Sequence, residues 1–170
     1  MVPGNSLLVE RTQIVSAIVP VDLAAAANNG DWVSLKEFQR LSVIVFKAAG
    51  TAGDDPVITL QQAQDVSGTG VKALNFTRVD EKVGVQTAVG SFTTVTQAAA
   101  NTYVNTVSAE AQGIFVIDVL PETLDKNNGF DCVRVVIPDV GAAAQIGCAL
   151  YLLQGARQAP NGVVPSAIVD

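Results

Sequence analysis

The chain is 170 residues long, carries a formal charge of −6 from 16 acidic and 10 basic residues, and contains no histidine. That length supports one domain with its own core. The charge, with no Lys/Arg cluster, argues against a nucleic-acid partner, and the missing imidazole removes the commonest general base and metal ligand. Charged residues make up only 15% and apolar ones 49%, against about 25% and about 45–50% in ordinary soluble domains, so part of the surface is expected to be hidden against other subunits.

In chain order, residues 1–12 place Pro3 and Gly4 ahead of "SLLVE" and read as an extended N-terminal arm. Short β-rich runs separated by Gly, Asn, Asp and Pro follow. They predict strands over residues 13–21, 32–35, 41–47, 57–62, 72–79, 91–96, 114–120, 132–137 and 146–153. The class is all-β: a two-sheet sandwich, most simply a jelly roll, over residues 13–153. In "LSVIVFK" and "IFVIDVL" apolar residues fill both phases of the alternation, which predicts strands covered on two faces. Between "LSVIVFKA" and "VITLQQA", the segment "AGTAGDDP" reads as a hairpin turn, with Gly50 and Gly53 free to adopt positive φ. "NNGDWVSL" and "NNGFDCVRV" read as tight corners at strand entries, and "DLAAAANNG" and "LPETLDKNNG" have room for one helical turn each. Cys132 and Cys148 fall in strands expected to be neighbours in one hairpin and read as small buried hydrophobes. Residues 154–170, with two prolines and the apolar "VVPSAIV", read as an extended C-terminal arm.

The chain holds no Gly-x-Ser-x-Gly elbow and no Cys-x-x-Cys pair. "GTAGDDP" puts Asp54 and Asp55 where a phosphate would sit, and "SGTGVKALNF" puts Lys72 in a strand, so neither is a phosphate loop. Acids are plentiful, from Asp54 and Glu81 to Glu110 and Glu122, but one Trp and two Tyr offer few platforms for a sugar substrate. No enzymatic activity, cofactor or metal is expected. "DKNNGFD" has Asp125, Asn127 and Asp131 as oxygen donors but not an EF-hand's spacing, and reads as a turn. Asp118 is the one acid expected to be partly buried. The apolar runs, such as residues 114–117, are far shorter than the roughly 18–20 residues that span a bilayer, and the N-terminus has no basic region before an apolar stretch. Synthesis in the cytoplasm without a secretion signal, and no membrane partner, are expected.

Three stretches carry a resemblance: "DWVSLKEFQRLSVIVFKAAGTAGDDPVITLQQAQDVSGTGVKALNF", "IFVIDVLPETLDKNNGFDCVRVVIPDV" and the ending "PSAIVD". Over residues 13–170 the chain resembles small structural proteins encoded in the head gene clusters of tailed double-stranded DNA bacteriophages. The resemblance implies a virion protein, most plausibly a decoration or cement protein that binds the major capsid protein from outside the shell. A homo-oligomer, best a trimer at three-fold positions, fits the low charge density. A fibre module that binds host glycans through an exposed aromatic such as Tyr103, and a neck or tail adaptor, are the other readings. If the arms are clamps, Leu7, Leu8, Val163, Val164 and Ile168 lie against a neighbour or the shell, and removing residues 158–170 leaves the melting temperature nearly unchanged.

Overall fold

The computed structural model describes residues 7–88, 90–106, 111–139, 141–158 and 163–169. Glu110, residues 1–6 and residues 159–162 of the arms lie outside them. Twelve strands are described: β1 (Thr12–Asp22), β2 (Asn28–Asn29), β3 (Val33–Ser34), β4 (Arg40–Lys47), β5 (Ile58–Ala63), β6 (Lys72–Ala73), β7 (Phe76–Val83), β8 (Thr93–Ala100), β9 (Thr102–Tyr103), β10 (Gly113–Val119), β11 (Cys132–Ile137) and β12 (Ile146–Gln154). The protein is an antiparallel two-sheet β-sandwich. Sheet A runs β1-β12-β4-β10-β7-β8, and sheet B runs β2-β11-β5-β6, with β3 also on β11 and β9 also on β5.

Period-two alternation places the core. From sheet A, Leu41, Val43 and Val45 of β4, Phe115, Ile117 and Val119 of β10, and Ala149, Tyr151 and Leu153 of β12 point inward. They meet Ile58 and Leu60 of β5 and Val133, Val135 and Ile137 of β11. A polar contact crosses this layer: the Val135 N–H donates to the Tyr151 hydroxyl at 2.7 Å. The edge strand leaves room for it, because between the Asn29 and Val33 pairings the chain bows away from β11 and only Gly30 N–H returns, to Val135 O at 2.8 Å. Gly30 is required there by proximity: an added Cβ would lie 2.8 Å from Val135 O and 2.9 Å from the Tyr151 hydroxyl. The corner predicted at "NNG" is thus a bridging strand. The second such segment does turn, as a 3₁₀ turn over Lys126–Asn128 closed by Gly129 at φ 80°.

Several local expectations change. The segment "AGTAGDDP" is no hairpin turn, since β4 lies in sheet A and β5 in sheet B. The loop crosses from one sheet to the other, and Asp54 ties it down by accepting from Ala143 N–H at 3.1 Å. The predicted strand 72–79 is two strands, β6 in sheet B and β7 in sheet A. Leu74 and Phe76 are buried on either side of the crossing, so the apolar alternation runs through it unbroken. Cys132 and Cys148 sit in opposite sheets with no disulfide between them, and only Cys132 is buried.

The C-terminal arm docks on its own chain. Ala167 is buried in the core cluster, its carbonyl accepts from Ser34 N–H at 2.7 Å, and Pro165 O accepts from the Gln13 side chain at 3.4 Å. An unchanged melting temperature after truncation therefore no longer follows. Deleting residues 166–170 removes one backbone hydrogen bond and the buried methyl, together worth about 1–2 kcal/mol. The melting temperature should fall by roughly 2–8 °C at about 2–4 °C per kcal/mol for a domain of this size. A calorimetric scan within 1 °C of the full chain would show that the docked end contributes nothing.

Candidate functional site

The outward face of sheet A is the surface this fold leaves unexplained. Cross-strand register puts Ile14, Leu152, Ser42 and Asp118 in one row, Ser16, Leu150, Ile44, Val116 and Asp80 in the next, and Cys148, Phe46, Ile114 and Lys82 in a third. Across β1, β12, β4 and β10 the face is therefore apolar. Ile14, Phe46 and Leu150 are exposed, at 42%, 43% and 39%, and Ile44, Val116, Ile114, Cys148 and Leu152 are half-buried. These are the second-phase residues of "LSVIVFK" and "IFVIDVL". The two-sided covering predicted from them exists on one side only among the described residues, since the outer side has no layer over it.

The acids on this face are already paired. Asp118, expected to be partly buried, is exposed on β10; it accepts from the Ser42 hydroxyl at 2.5 Å and lies 3.6 Å from Arg40. On β7, Arg78 grips both oxygens of Asp80 at 3.0 and 2.9 Å. The Arg78 hydrogen bond, followed by that of Thr94, holds the Asp80 carboxyl below the usual carboxylate range. Lys82 lies over the Phe92 ring at 4.7 Å.

The outward side of sheet B contrasts with it. Arg134 stacks 4.7 Å from the Trp32 ring and donates to the Gln61 side chain at 2.8 Å. Lys72 lies 3.8 Å over the Phe130 ring and ion-pairs with Asp125. That pairing, followed by a bond from Asn128, holds the Asp125 carboxyl low. The "DKNNGFD" segment thus spends Asp125 on Lys72 and Asn128, while Asp131 sits 3.7 Å from Lys36. Among the described residues no group of three or more His, Cys, Asp or Glu side chains is placed to hold a metal ion, and no helix is long and apolar enough to cross a membrane.

A second apolar feature lies at one pole of the sandwich, where β1 begins and β12 ends. Leu8, residues 10–12 and residues 154–156 line a cleft of about 320 Å³ there, and the Pro165–Ala167 segment is fastened to Gln13 and Ser34 at the same end. The structure places Leu7, Leu8, Val163 and Ile168 exposed at this pole and Val164 half-buried. Val9 and Val169 join them as exposed apolar side chains. The predicted arm residues are therefore gathered together, while the sheet A face was missed as a site; its signal was the doubled apolar phase.

Tyr103 is buried, with its hydroxyl on Glu81 at 2.7 Å, and Asn105 donates to the same carboxylate at 3.0 and 2.9 Å. Burial, then the Glu81 bond, raises the phenol well above its ordinary value. This trio fastens β9 and the residues after it to β7 of sheet A.

No protein-family model matches the chain, and no curated protein sequence does. Among solved structures it is similar to the SPBc2 prophage-derived protein YomS, at 13% identity and a TM-score of 0.43 over 83% of this chain and 92% of that one.

Proposed function

We propose that the chain is a structural protein of a tailed-phage virion, a decoration or cement protein that binds the major capsid protein on the outer surface of the shell and stabilises it by bridging subunits. It works as a homo-oligomer, with a trimer at three-fold positions the stoichiometry that matches the shell. The observation that carries this reading is the exposure of Leu7, Leu8, Val163 and Ile168 on the segments before β1 and after β12. Burying each such side chain contributes on the order of 1.5–3 kcal/mol, less about 1–2 kcal/mol for every residue that must be ordered. Docking of Ala167 and Pro165 on the chain's own sandwich has already ordered part of the arm, so less of that cost falls on binding. The remaining gain per copy is small, and it becomes a useful clamp through many copies acting together.

The strand order supports a jelly-roll reading of the sandwich. Without β7 and β8, sheet A is β1-β12-β4-β10 and sheet B is β2/β3-β11-β5-β6, two four-stranded sheets between which the chain alternates except at the adjacent pair β5–β6, with β7–β8 as an inserted hairpin that widens sheet A. The glycan-binding alternative loses its candidate platform, because Tyr103 is buried.

Quantitative mass spectrometry of purified virions tests the role. Hundreds of copies per particle are expected. A few to a dozen copies would place the chain at the neck or a fibre, and none would remove it from the virion.

A further inference from the structure

The outer face of sheet A has three properties that together identify what covers it. Its centre, around Ile44, Leu150 and Phe46, is apolar; its acids, Asp118 with Arg40 and Asp80 with Arg78, are compensated within the face, leaving Lys82 over the Phe92 ring at the β7 flank; and the opposite face of the sandwich is polar. A partner recognised by charge would need more than the one unpaired charge that the described residues of this face offer, Lys82 at the β7 flank. A second copy of the same face meets these requirements: apolar area against apolar area, with Lys82 outside the apolar centre.

Size points the same way. Four apolar strands about 4.8 Å apart and about seven residues long at about 3.4 Å per residue make a face of roughly 19 by 24 Å, or about 450 Å². With the polar flank of β7 and β8, six strands give roughly 700 Å² per copy, or about 1,400 Å² for two copies, within the roughly 1,200–2,000 Å² of a stable specific interface. As an exposed surface on a lone monomer, such a patch would be at the upper limit of what soluble proteins carry.

We infer that the outer face of sheet A is the self-association surface of this protein, packed in the assembled state against another copy of the chain. Packing of this face on its own copy closes as a two-fold pair, a contact additional to the three-fold arrangement on the shell proposed above. It is testable on the purified protein alone, so a monomer in solution and an absence from virions are separate failures.

The test is sedimentation equilibrium of the full chain beside an Ile44→Glu, Leu150→Glu double variant, with Val71→Glu, an exposed apolar site away from this face, as the control. The natural chain and the control should be oligomers at micromolar concentration. The double variant should be a monomer with an unchanged β-type circular dichroism spectrum and an association constant lowered at least a hundredfold. Cys148 supplies a readout on the natural sequence, because it lies half-buried on the face while Cys132 is buried in the fold. Its rate of alkylation by a maleimide should fall about tenfold or more between dilute and concentrated protein. A natural chain that remains monomeric at millimolar concentration, a folded double variant that stays oligomeric, or a Cys148 rate independent of concentration would each overturn the inference, the last even if the double variant fails to fold.

Discussion

Replacing Tyr151 by alanine is expected to remove most of the stability of the fold. The side chain is fully buried in the layer between the sheets, and its hydroxyl is the acceptor for the Val135 N–H. Truncating a buried aromatic costs about 3–5 kcal/mol through lost transfer energy and the cavity left behind. Stranding a buried N–H adds about 1–3 kcal/mol. The sum, about 4–8 kcal/mol, compares with a total of about 5–15 kcal/mol for a typical domain and corresponds to a fall of roughly 8–32 °C in melting temperature. Tyr151→Phe separates the two contributions, since it keeps the ring and removes only the acceptor. It should cost about 1–3 kcal/mol. A phenylalanine variant melting within 1 °C of the natural protein would show that the Val135 N–H finds another partner. Burial raises the Tyr151 phenol far above its ordinary value, so this joint stays protonated over the range in which the protein is handled.

The second large effect is expected at Lys47, the last residue of β4 and fully buried. With the Gln145 amide oriented to suit its neighbours, its oxygen accepts from Lys47 Nζ at 2.8 Å and its nitrogen donates to Asp54 O at 2.7 Å. The Asp54 carboxylate in turn accepts from Ala143 N–H. Gly141 passes so close that an added Cβ would lie 1.9 Å from Asp54 Oδ1. This chain of bonds fastens the β4–β5 crossing to the loop before β12. Lys47→Ala leaves the Gln145 oxygen without this donor and opens a cavity where the lysine stem packed, for a combined cost of about 3–5 kcal/mol. Lys47→Met keeps the stem volume and removes the need to bury a charge, and should cost less than about 2 kcal/mol. Urea unfolding measures both. An alanine variant no less stable than the methionine one would show that stem and cavity are not what matter at this site.

The strands were legible because each is a run of β-branched and apolar residues bounded by turn-formers. β4, β10, β11 and β12 fall within one residue of their expected ends. What alternation does not carry is which sheet a strand joins. β5 reads as the hairpin partner of β4 because a glycine-rich polar segment joins them, and β6 reads as the start of β7 because the crossing at 74–75 keeps the apolar period through a change of sheet. The two-residue strands β2 and β9 left no periodic signal, being too short to show one. Separation of the two cysteines into opposite sheets follows from the same hidden alternation. The candidate surfaces divide similarly. Exposed apolar arm residues were visible in "SLLVE" and "VVPSAIV", where no packed strand or helix could use them. The doubled apolar phase of β4 and β10 was equally visible, but a covered second face reads the same whether the cover is the chain itself or another copy. The docking of Ala167 against Ser34 could not be read, because an alanine between a serine and an isoleucine marks nothing by itself.

Cryo-electron microscopy of the virion, at a resolution that traces strands, tests the proposed role most directly. The account predicts this sandwich outside the major capsid shell, with the pole bearing Leu7, Leu8, Val163 and Ile168 against the shell and the outer face of sheet A against another copy of the chain. A sandwich found only at the neck or on a fibre, or one seated on the shell with that pole and the sheet A face both open to solvent, would contradict it.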